Sequence, residues 1–280
     1  MTTLQIDRPE GRIAVSVEGD GPLVVLSPGM GDLLSVFRDV VIPLVAAGFR
    51  VASVDLRGHG ASSTTFPDHG VAATGSDLVA VVEHLGGPAV LVGHSVSGGA
   101  VAWLAARRPD LVAGVALLAP HLQAPTGSRL AARLQVGALI RRPWGGAAWA
   151  WYYRSLHKGR TAPWLDDHVA AIRTALRDRS RFDSFRALSR ALVATHTAIA
   201  LDAVTGPALV VFGDRDPEFR DPAAELTWVT EHLRSAEVEP LLMPECGHYP
   251  HSQCPEVLVP ALLGLLARVP RRESSWVARA

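Results

Sequence analysis

The chain has 280 residues, of which 48% are hydrophobic and 19% charged, so it is long enough to fold as one large or two small domains without a disulfide framework. Its 27 basic and 27 acidic residues cancel, which argues against nucleic-acid binding because phosphate neutralisation requires a basic excess. The first residues are charged and no apolar run is long enough to span a bilayer, so we expect neither a signal peptide nor a membrane span.

Short apolar runs alternate with helix-like stretches along most of the chain. Strands are predicted at residues 13–17, 23–26, 49–56, 89–93, 112–118, 208–212 and 238–243. Helices are predicted at residues 36–47, 76–85, 97–108, 221–234 and 255–268. Most of the strand runs are continuously apolar, which is typical of parallel strands covered by helices on both faces. The sequence therefore predicts an α/β fold.

Residues 121–205 interrupt this alternation. No strand is predicted there, and helical stretches are separated by proline and glycine. The segment holds eight of the 17 aromatic residues and a net charge of +8. We interpret it as a helical insertion between two parts of one core, at residues 1–120 and 206–270. Residues 271–280 are predicted to form a flexible tail.

The sharpest motif is GHSVSGG at residues 93–99, which follows a predicted strand and begins a predicted helix. Small residues at positions 93 and 97 allow the strand and helix to approach closely around a tight turn. Such a turn exposes the Ser95 hydroxyl at the carboxyl end of the strand, beside the positive end of the helix dipole. Ser95 is therefore a candidate nucleophile.

Two other loops offer the base and the acid that a serine nucleophile requires. Asp214 and Asp216 follow the strand at 208–212, and His248 follows the strand at 238–243. All of these loops leave the carboxyl ends of predicted strands, where open α/β sheets bind their ligands. We expect the serine, one carboxylate and the histidine to meet there.

With these motifs in place, the chain resembles the α/β-hydrolase superfamily over residues 4–268. The resemblance is carried by the elbow motif, by VDLRGHGAS at 54–62, by FGDRDP at 212–217 and by CGHYPH at 246–251. It implies a mostly parallel eight-stranded sheet flanked by helices. It also implies that the insertion is a helical cap placed after strand 6.

The resemblance implies a catalytic triad of Ser95, Asp216 and His248. Asp216 is favoured over Asp214 because the family's acid usually lies three residues after the glycine, and Asp214 is interpreted as stabilising the loop. Ser97 stands where the commonest family pattern has glycine, and a serine is small enough for the elbow.

An oxyanion hole needs two N–H donors. The resemblance assigns them to Val96 in the elbow and to Met30 in the loop after the third strand. Pro28 stands in that loop where the family often has histidine, a change that a backbone donor tolerates.

Three further histidines are interpreted by their neighbours in sequence. His59 is assigned to a tight turn and His94 to packing near the elbow, whereas His121 follows a strand end and is a candidate pocket residue. No dinucleotide fingerprint or P-loop occurs, so no organic cofactor is predicted. No metal site is predicted either, because the cysteines and histidines at the end of the core do not have the spacing of a common zinc site: Cys246, His248, His251 and Cys254.

The cap is expected to roof a pocket over the sheet edge, and its aromatic residues are candidates for substrate binding. These candidates are Trp144, Trp149, Trp151, Tyr152, Tyr153 and Trp164. The positive charge of the cap is interpreted as a solvated face, with attraction of an anionic substrate as the alternative.

We therefore predict a cofactor-free serine hydrolase that cleaves an ester or related acyl bond of a small, largely apolar molecule through an acyl-enzyme. A serine at position 95, rather than an aspartate, argues against epoxide hydrolase or haloalkane dehalogenase chemistry. Thioesterase, lactonase, C–C bond hydrolase and cyclase activities remain alternatives, as does a small-molecule receptor. We expect a small-molecule partner and no nucleic acid, a monomer or homodimer, and a cytoplasmic location consistent with only two cysteines.

Overall fold

The computed structural model describes residues 2–123, 128–194 and 197–269, so the predicted tail at 271–280 lies outside the described residues. Eight strands form one sheet: β1 Thr2–Arg8, β2 Gly11–Glu18, β3 Leu23–Ser27, β4 Arg50–Val54, β5 Ala89–His94, β6 Val112–Leu118, β7 Gly206–Gly213 and β8 Ala236–Met243. The helices are α1 Arg38–Ala46, α2 Val71–His84, α3 Val96–Arg107, α4 Arg129–Leu139, α5 Gly145–Ser155, α6 Leu165–Ala175, α7 Arg179–Ala194, α8 Pro222–His232, α9 Pro250–Gln253 and α10 Pro255–Arg268.

The order of the strands in the sheet is β1-β2-β4-β3-β5-β6-β7-β8. β2 runs antiparallel to both of its neighbours, and every other neighbouring pair is parallel. The predicted mostly parallel, eight-stranded α/β fold is therefore confirmed. After β3 the chain adds β4 on one side, and it then returns to add β5 on the other side. This switch in direction opens a crevice at the carboxyl ends of β3 and β5, where doubly wound sheets bind ligands.

The central strands are buried on both faces, as their continuous apolar runs predict. All residues of β3 and β5 are buried. Along β3, Val24 and Leu26 join the core cluster that includes α1 and α10, whereas Leu23 and Val25 join the cluster that includes α2, α3 and α8. The alternation of side chains along a strand thus supplies both hydrophobic layers.

The edges of the sheet differ most from the prediction. β1 is absent from the strands predicted individually, because only Ile6 among its residues is buried and its apolar signal is weak. β8 lies at the other edge and is largely exposed or half-buried. Its Pro240 lacks an N–H group, which an edge strand tolerates because one side of the strand is unpaired.

Four helices, α4 to α7, occupy the predicted cap segment between β6 and β7. The cap is joined to the core at the loop after β3. The fully buried carboxylate of Asp32 accepts a hydrogen bond from the Tyr153 hydroxyl at 3.0 Å and lies 2.6 Å from Nε2 of His168. Trp149 Nε1 donates to the Gly31 carbonyl at 3.1 Å. Among the described residues, no helix is both long and apolar enough to cross a bilayer.

Candidate active site

Ser95 lies at the tight turn between β5 and α3. Its backbone has φ of 55° and ψ of −118°, a conformation that costs energy in a residue with a side chain. The turn is possible because Gly93 and Gly98 allow very close packing. A Cβ atom on Gly93 would lie 2.3 Å from the Ser97 carbonyl oxygen, and one on Gly98 would lie 2.6 Å from Cβ of Pro120. The predicted close approach is thus observed at position 93, and Gly98 adds a second one that was not predicted.

The Ser97 hydroxyl connects this elbow to the loop after β3. It donates to the Pro28 carbonyl at 2.6 Å and accepts from the Ser27 hydroxyl at 2.8 Å, and both serines are fully buried. The serine that departs from the common elbow pattern therefore links the two loops that carry the candidate oxyanion donors.

His248 and Asp216 form a buried pair at the carboxyl ends of β8 and β7. Nδ1 of His248 lies 2.7 Å from Oδ2 of Asp216, and the other oxygen of Asp216 accepts the backbone N–H of Glu218 at 2.9 Å. Burial lowers the pKa of His248, but the negative charges of Asp216 and Glu218 outweigh burial and raise the pKa above its ordinary value. An imidazole that donates Nδ1–H to a carboxylate has its Nε2 lone pair free to accept a proton.

Asp214 makes hydrogen bonds to the backbone of neighbouring loops instead of to His248. Its carboxylate accepts the backbone N–H of Cys246 at 3.3 Å, and its own N–H donates to the Met243 carbonyl at 2.9 Å. These contacts hold the loop after β7 against the loop after β8. Geometry thus pairs Asp216, and not Asp214, with the histidine.

A cavity of about 400 Å³ lies between the sheet edge and the cap. Ser95 and His248 both line it, as do Met30 and Val96, the two residues assigned to the oxyanion hole. Apolar side chains from core and cap form much of its wall, including Val71, Val136, Leu139, Ile140, Leu192 and Ile199.

The loop after β3 is held by His59. The Gly31 N–H donates to Nε2 of His59 at 3.1 Å, and Nδ1 of His59 lies 3.0 Å from the Arg57 carbonyl oxygen. Burial lowers the pKa of His59 to about 4, so the ring is neutral and donates through Nδ1. Because the N–H of Gly31 is engaged, Met30 remains the candidate donor. The histidine assigned to a tight turn therefore also positions the loop that carries the candidate donor Met30, a contact that no sequence motif indicated.

His94 contacts both the ring and the backbone of the candidate base, His248. Nε2 of His94 donates to the His248 carbonyl oxygen at 2.8 Å, and the two rings are 4.8 Å apart. Burial holds the pKa of His94 well below its ordinary value, so the ring stays neutral. The predicted packing of His94 near the elbow thus extends to the backbone of the loop that carries His248.

The candidate substrate-binding residues divide into two groups. His121, Trp149 and Tyr152 line the cavity. The other four side chains lie elsewhere: Trp144 and Trp151 are 49% and 70% exposed, Tyr153 is buried against Asp32, and Trp164 donates to Asp39 at 2.7 Å and stacks against Arg38. Their placement does not support a substrate-binding role for these four.

Glu218 is a charged residue of the cavity wall that the sequence motifs did not indicate. Glu218 follows the candidate acid by two positions, and its Oε2 lies 3.1 Å from Nε2 of His121. The Tyr152 hydroxyl donates to the other carboxylate oxygen. Burial raises the pKa of Glu218, but the hydrogen bond from His121 and the charge of His248 outweigh it, so the pKa is lowered overall. Its proximity in sequence to Asp216 was the available signal.

Residues 24–261 match the alpha/beta hydrolase family. The chain belongs to this family. The match includes the elbow and the loops that carry the acid and the histidine.

Curated relatives are similar over different shares of the chain. A dihydrolipoyllysine-residue acetyltransferase component of an acetoin cleaving system from Pseudomonas putida is 28% identical over 264 residues, which cover 90% of this chain and 65% of that protein. A bifunctional esterase/perhydrolase from Acinetobacter calcoaceticus is 46% identical over 85 residues, covering 29% of this chain and 31% of that protein. The matches thus span less than two thirds of either relative's length. A thermophilic esterase from Thermogutta terrifontis, 23% identical, has a TM-score of 0.77 over 95% of this chain and 98% of that one, a likeness of fold.

Proposed function

We propose that the chain is a cofactor-free serine hydrolase that cleaves an ester bond of a small, largely apolar molecule. The observation that carries the proposal is the buried Asp216–His248 pair, whose histidine lines the same cavity as Ser95. A serine in a strained elbow, a histidine and an orienting carboxylate are the parts of acyl transfer through a covalent intermediate. The family supports this reading.

In the proposed reaction the Ser95 hydroxyl attacks the ester carbonyl while Nε2 of His248 takes its proton. Asp216 orients the ring and stabilises its charged form. The N–H groups of Met30 and Val96 stabilise the oxyanion. His248 then gives the proton to the departing alcohol, which leaves an acyl-enzyme. Water, deprotonated by the same histidine, attacks the acyl group and restores Ser95.

The charge of the residues that line the cavity favours an uncharged substrate. Among the described residues that line it there is no lysine or arginine, and the carboxylate of Glu218 lies beside the candidate base. An anionic substrate would be repelled there, so the positive charge of the cap is better explained by a solvated face. The cavity volume is within the range of small-molecule sites, about 300–1,000 Å³.

The test is hydrolysis of p-nitrophenyl esters of increasing acyl length, with labelling by a fluorophosphonate probe. We expect steady multiple turnover and labelling at Ser95. Ser95→Ala should abolish labelling and lower kcat by about 10⁴–10⁶-fold, whereas Ser180→Ala, at an exposed cap serine, should change neither. Activity should survive dialysis against EDTA, since no step uses a metal.

Two outcomes would contradict the proposal. Unchanged turnover in Ser95→Ala would show that Ser95 is not the nucleophile. Tight binding of a ligand with at most one turnover would instead indicate a receptor built on the hydrolase fold.

A further inference from the structure

Three side chains that bind metals in other proteins meet on one side of the cavity. They come from separate loops: His121 follows β6, Glu218 follows β7 and His248 follows β8. One ligand atom from each lies within 4.8 Å of the other two, and the separation between His121 and Glu218 is 3.1 Å. Around a tetrahedral Zn²⁺ with bonds of about 2.0–2.1 Å, ligand atoms are about 3.4 Å apart. Small side-chain rotations would therefore bring all three into coordination distance.

We propose that His121, Glu218 and His248 form a binding site for Zn²⁺ or a similar transition-metal ion, and that the bound ion inhibits the enzyme. Two imidazole nitrogens and one carboxylate oxygen are a ligand set that suits zinc, with a fourth position left for water. The proposed catalysis needs no metal, so the ion acts as an inhibitor and not as a cofactor.

Surrounding hydrogen bonds orient two of the three ligands, His248 and Glu218. Asp216 accepts Nδ1–H of His248 at 2.7 Å, which leaves Nε2 as the nitrogen that can bind a metal. Carboxylate partners of this kind are typical behind metal-binding histidines, because they fix the tautomer and raise the basicity of the ring. The Tyr152 hydroxyl donates to the carboxylate oxygen of Glu218 that does not contact His121.

The site is open to solvent on one side. The side chain of His121 is 42% exposed and that of Glu218 is 20% exposed, whereas that of His248 is 3% exposed. An ion can thus arrive at the outer two ligands and engage the buried histidine last. None of the three residues would need to leave the cavity wall.

Inhibition follows from the proposed function and rests on it. A metal ion on Nε2 of His248 occupies the lone pair that would accept the Ser95 proton, so the nucleophile is not activated. Removal of the ion by a chelator restores the base, because binding breaks no covalent bond.

Binding is tested apart from catalysis by titrating ZnCl₂ into the Ser95→Ala variant by calorimetry. We expect one ion per chain. His121→Ala and Glu218→Gln, each added to Ser95→Ala, should weaken binding by about tenfold or more, the scale on which even outer-sphere partners act. His84→Ala and Glu231→Gln, at exposed residues of α2 and α8, are the matched controls and should leave the affinity unchanged.

The enzyme with Ser95 present supplies the second measurement. Zn²⁺ should inhibit ester hydrolysis at the concentrations that saturate the calorimetric site, and EDTA should restore the rate. Absence of binding, or affinity that both ligand variants retain, would overturn the site. Binding without inhibition would exclude His248 as a ligand. If no ester is hydrolysed, the proposed function fails, and the titration still decides the site.

Discussion

Ser97→Ala tests whether the hydroxyl that departs from the common elbow pattern holds the catalytic loops together. The hydroxyl donates to the Pro28 carbonyl and accepts from the Ser27 hydroxyl, in a region with no access to solvent. Alanine keeps the helix propensity and removes only one oxygen atom. The buried carbonyl and the buried hydroxyl then lose their partner.

The size of the effect follows from those two groups. A buried polar group left without a partner costs about 1–3 kcal/mol, so the loss of two such partners should lower the free energy of unfolding by about 2–6 kcal/mol. Pro28 lies two residues before Met30, and Ser97 lies directly after Val96. Loss of the hydrogen bond between Ser97 and Pro28 should displace the candidate oxyanion donors, Met30 and Val96, but it leaves both N–H groups in place. We therefore expect kcat to fall by about tenfold. Deletion of an oxyanion-hole donor has a larger effect, about 10²–10³-fold.

Urea denaturation measures the stability, and hydrolysis of p-nitrophenyl esters measures the rate. Ser27→Ala combined with Ser97→Ala should cost less than the sum of the single changes by about 1 kcal/mol, because the two hydroxyls bond each other. Ser16→Ala is the control, since Ser16 is a buried serine whose hydroxyl has no hydrogen-bond partner among the described residues. A stability loss in Ser97→Ala no larger than in this control, or an unchanged kcat, would refute the reasoning.

Three further predictions concern the cavity. Asp216→Asn should lower kcat by about 10⁴-fold because the amide favours the wrong histidine tautomer, whereas Asp214→Asn should lower mainly the urea midpoint; the reverse result would exchange their roles. Glu218→Gln removes a negative charge that raises the pKa of His248, the candidate base. With EDTA present, the acid limb of kcat/KM should therefore move to lower pH, and an unmoved limb would show that this charge does not act on His248. Trp149→Ala should change the ratio of kcat/KM between long and short acyl esters by about 10–200-fold, whereas Trp151→Ala, at an exposed residue, should leave the ratio unchanged. An unchanged ratio in both variants would show that Trp149 does not determine specificity.

The fold and the candidate nucleophile could be predicted because their signals are local, whereas the choice of Asp216 over Asp214 depends on the family resemblance. A strand buried on both faces can be continuously apolar, as β5 is from Ala89 to Val92. The elbow requires glycine at the points of closest approach, so the motif is visible in seven consecutive residues. The edge strand β1 gives no such signal, since one buried residue in seven does not form a pattern.

Which aromatic side chains of the cap face the cavity could be predicted only in part. On α5, Trp149, Tyr152 and Tyr153 are three and four positions apart and share a face, whereas Trp151 lies on the other side. Helical spacing thus separates Trp151 from the rest. It does not separate Tyr152, which lines the cavity, from Tyr153, which bonds Asp32, because that depends on the loop to which the helix is docked.

Because the cap is docked on the loop that carries the candidate donor Met30, we expect the cap and the candidate catalytic residues to influence each other. The loop that carries the Met30 donor is fixed from the core by His59, which accepts the Gly31 N–H. The same loop is fixed from the cap by Trp149, which donates to the Gly31 carbonyl oxygen. We therefore expect a change at Trp149 to affect both substrate fit and the position of the candidate donor Met30. The two effects separate by reagent size: a phosphonate too small to contact the cap responds only to the donor, whereas a long acyl ester responds to both.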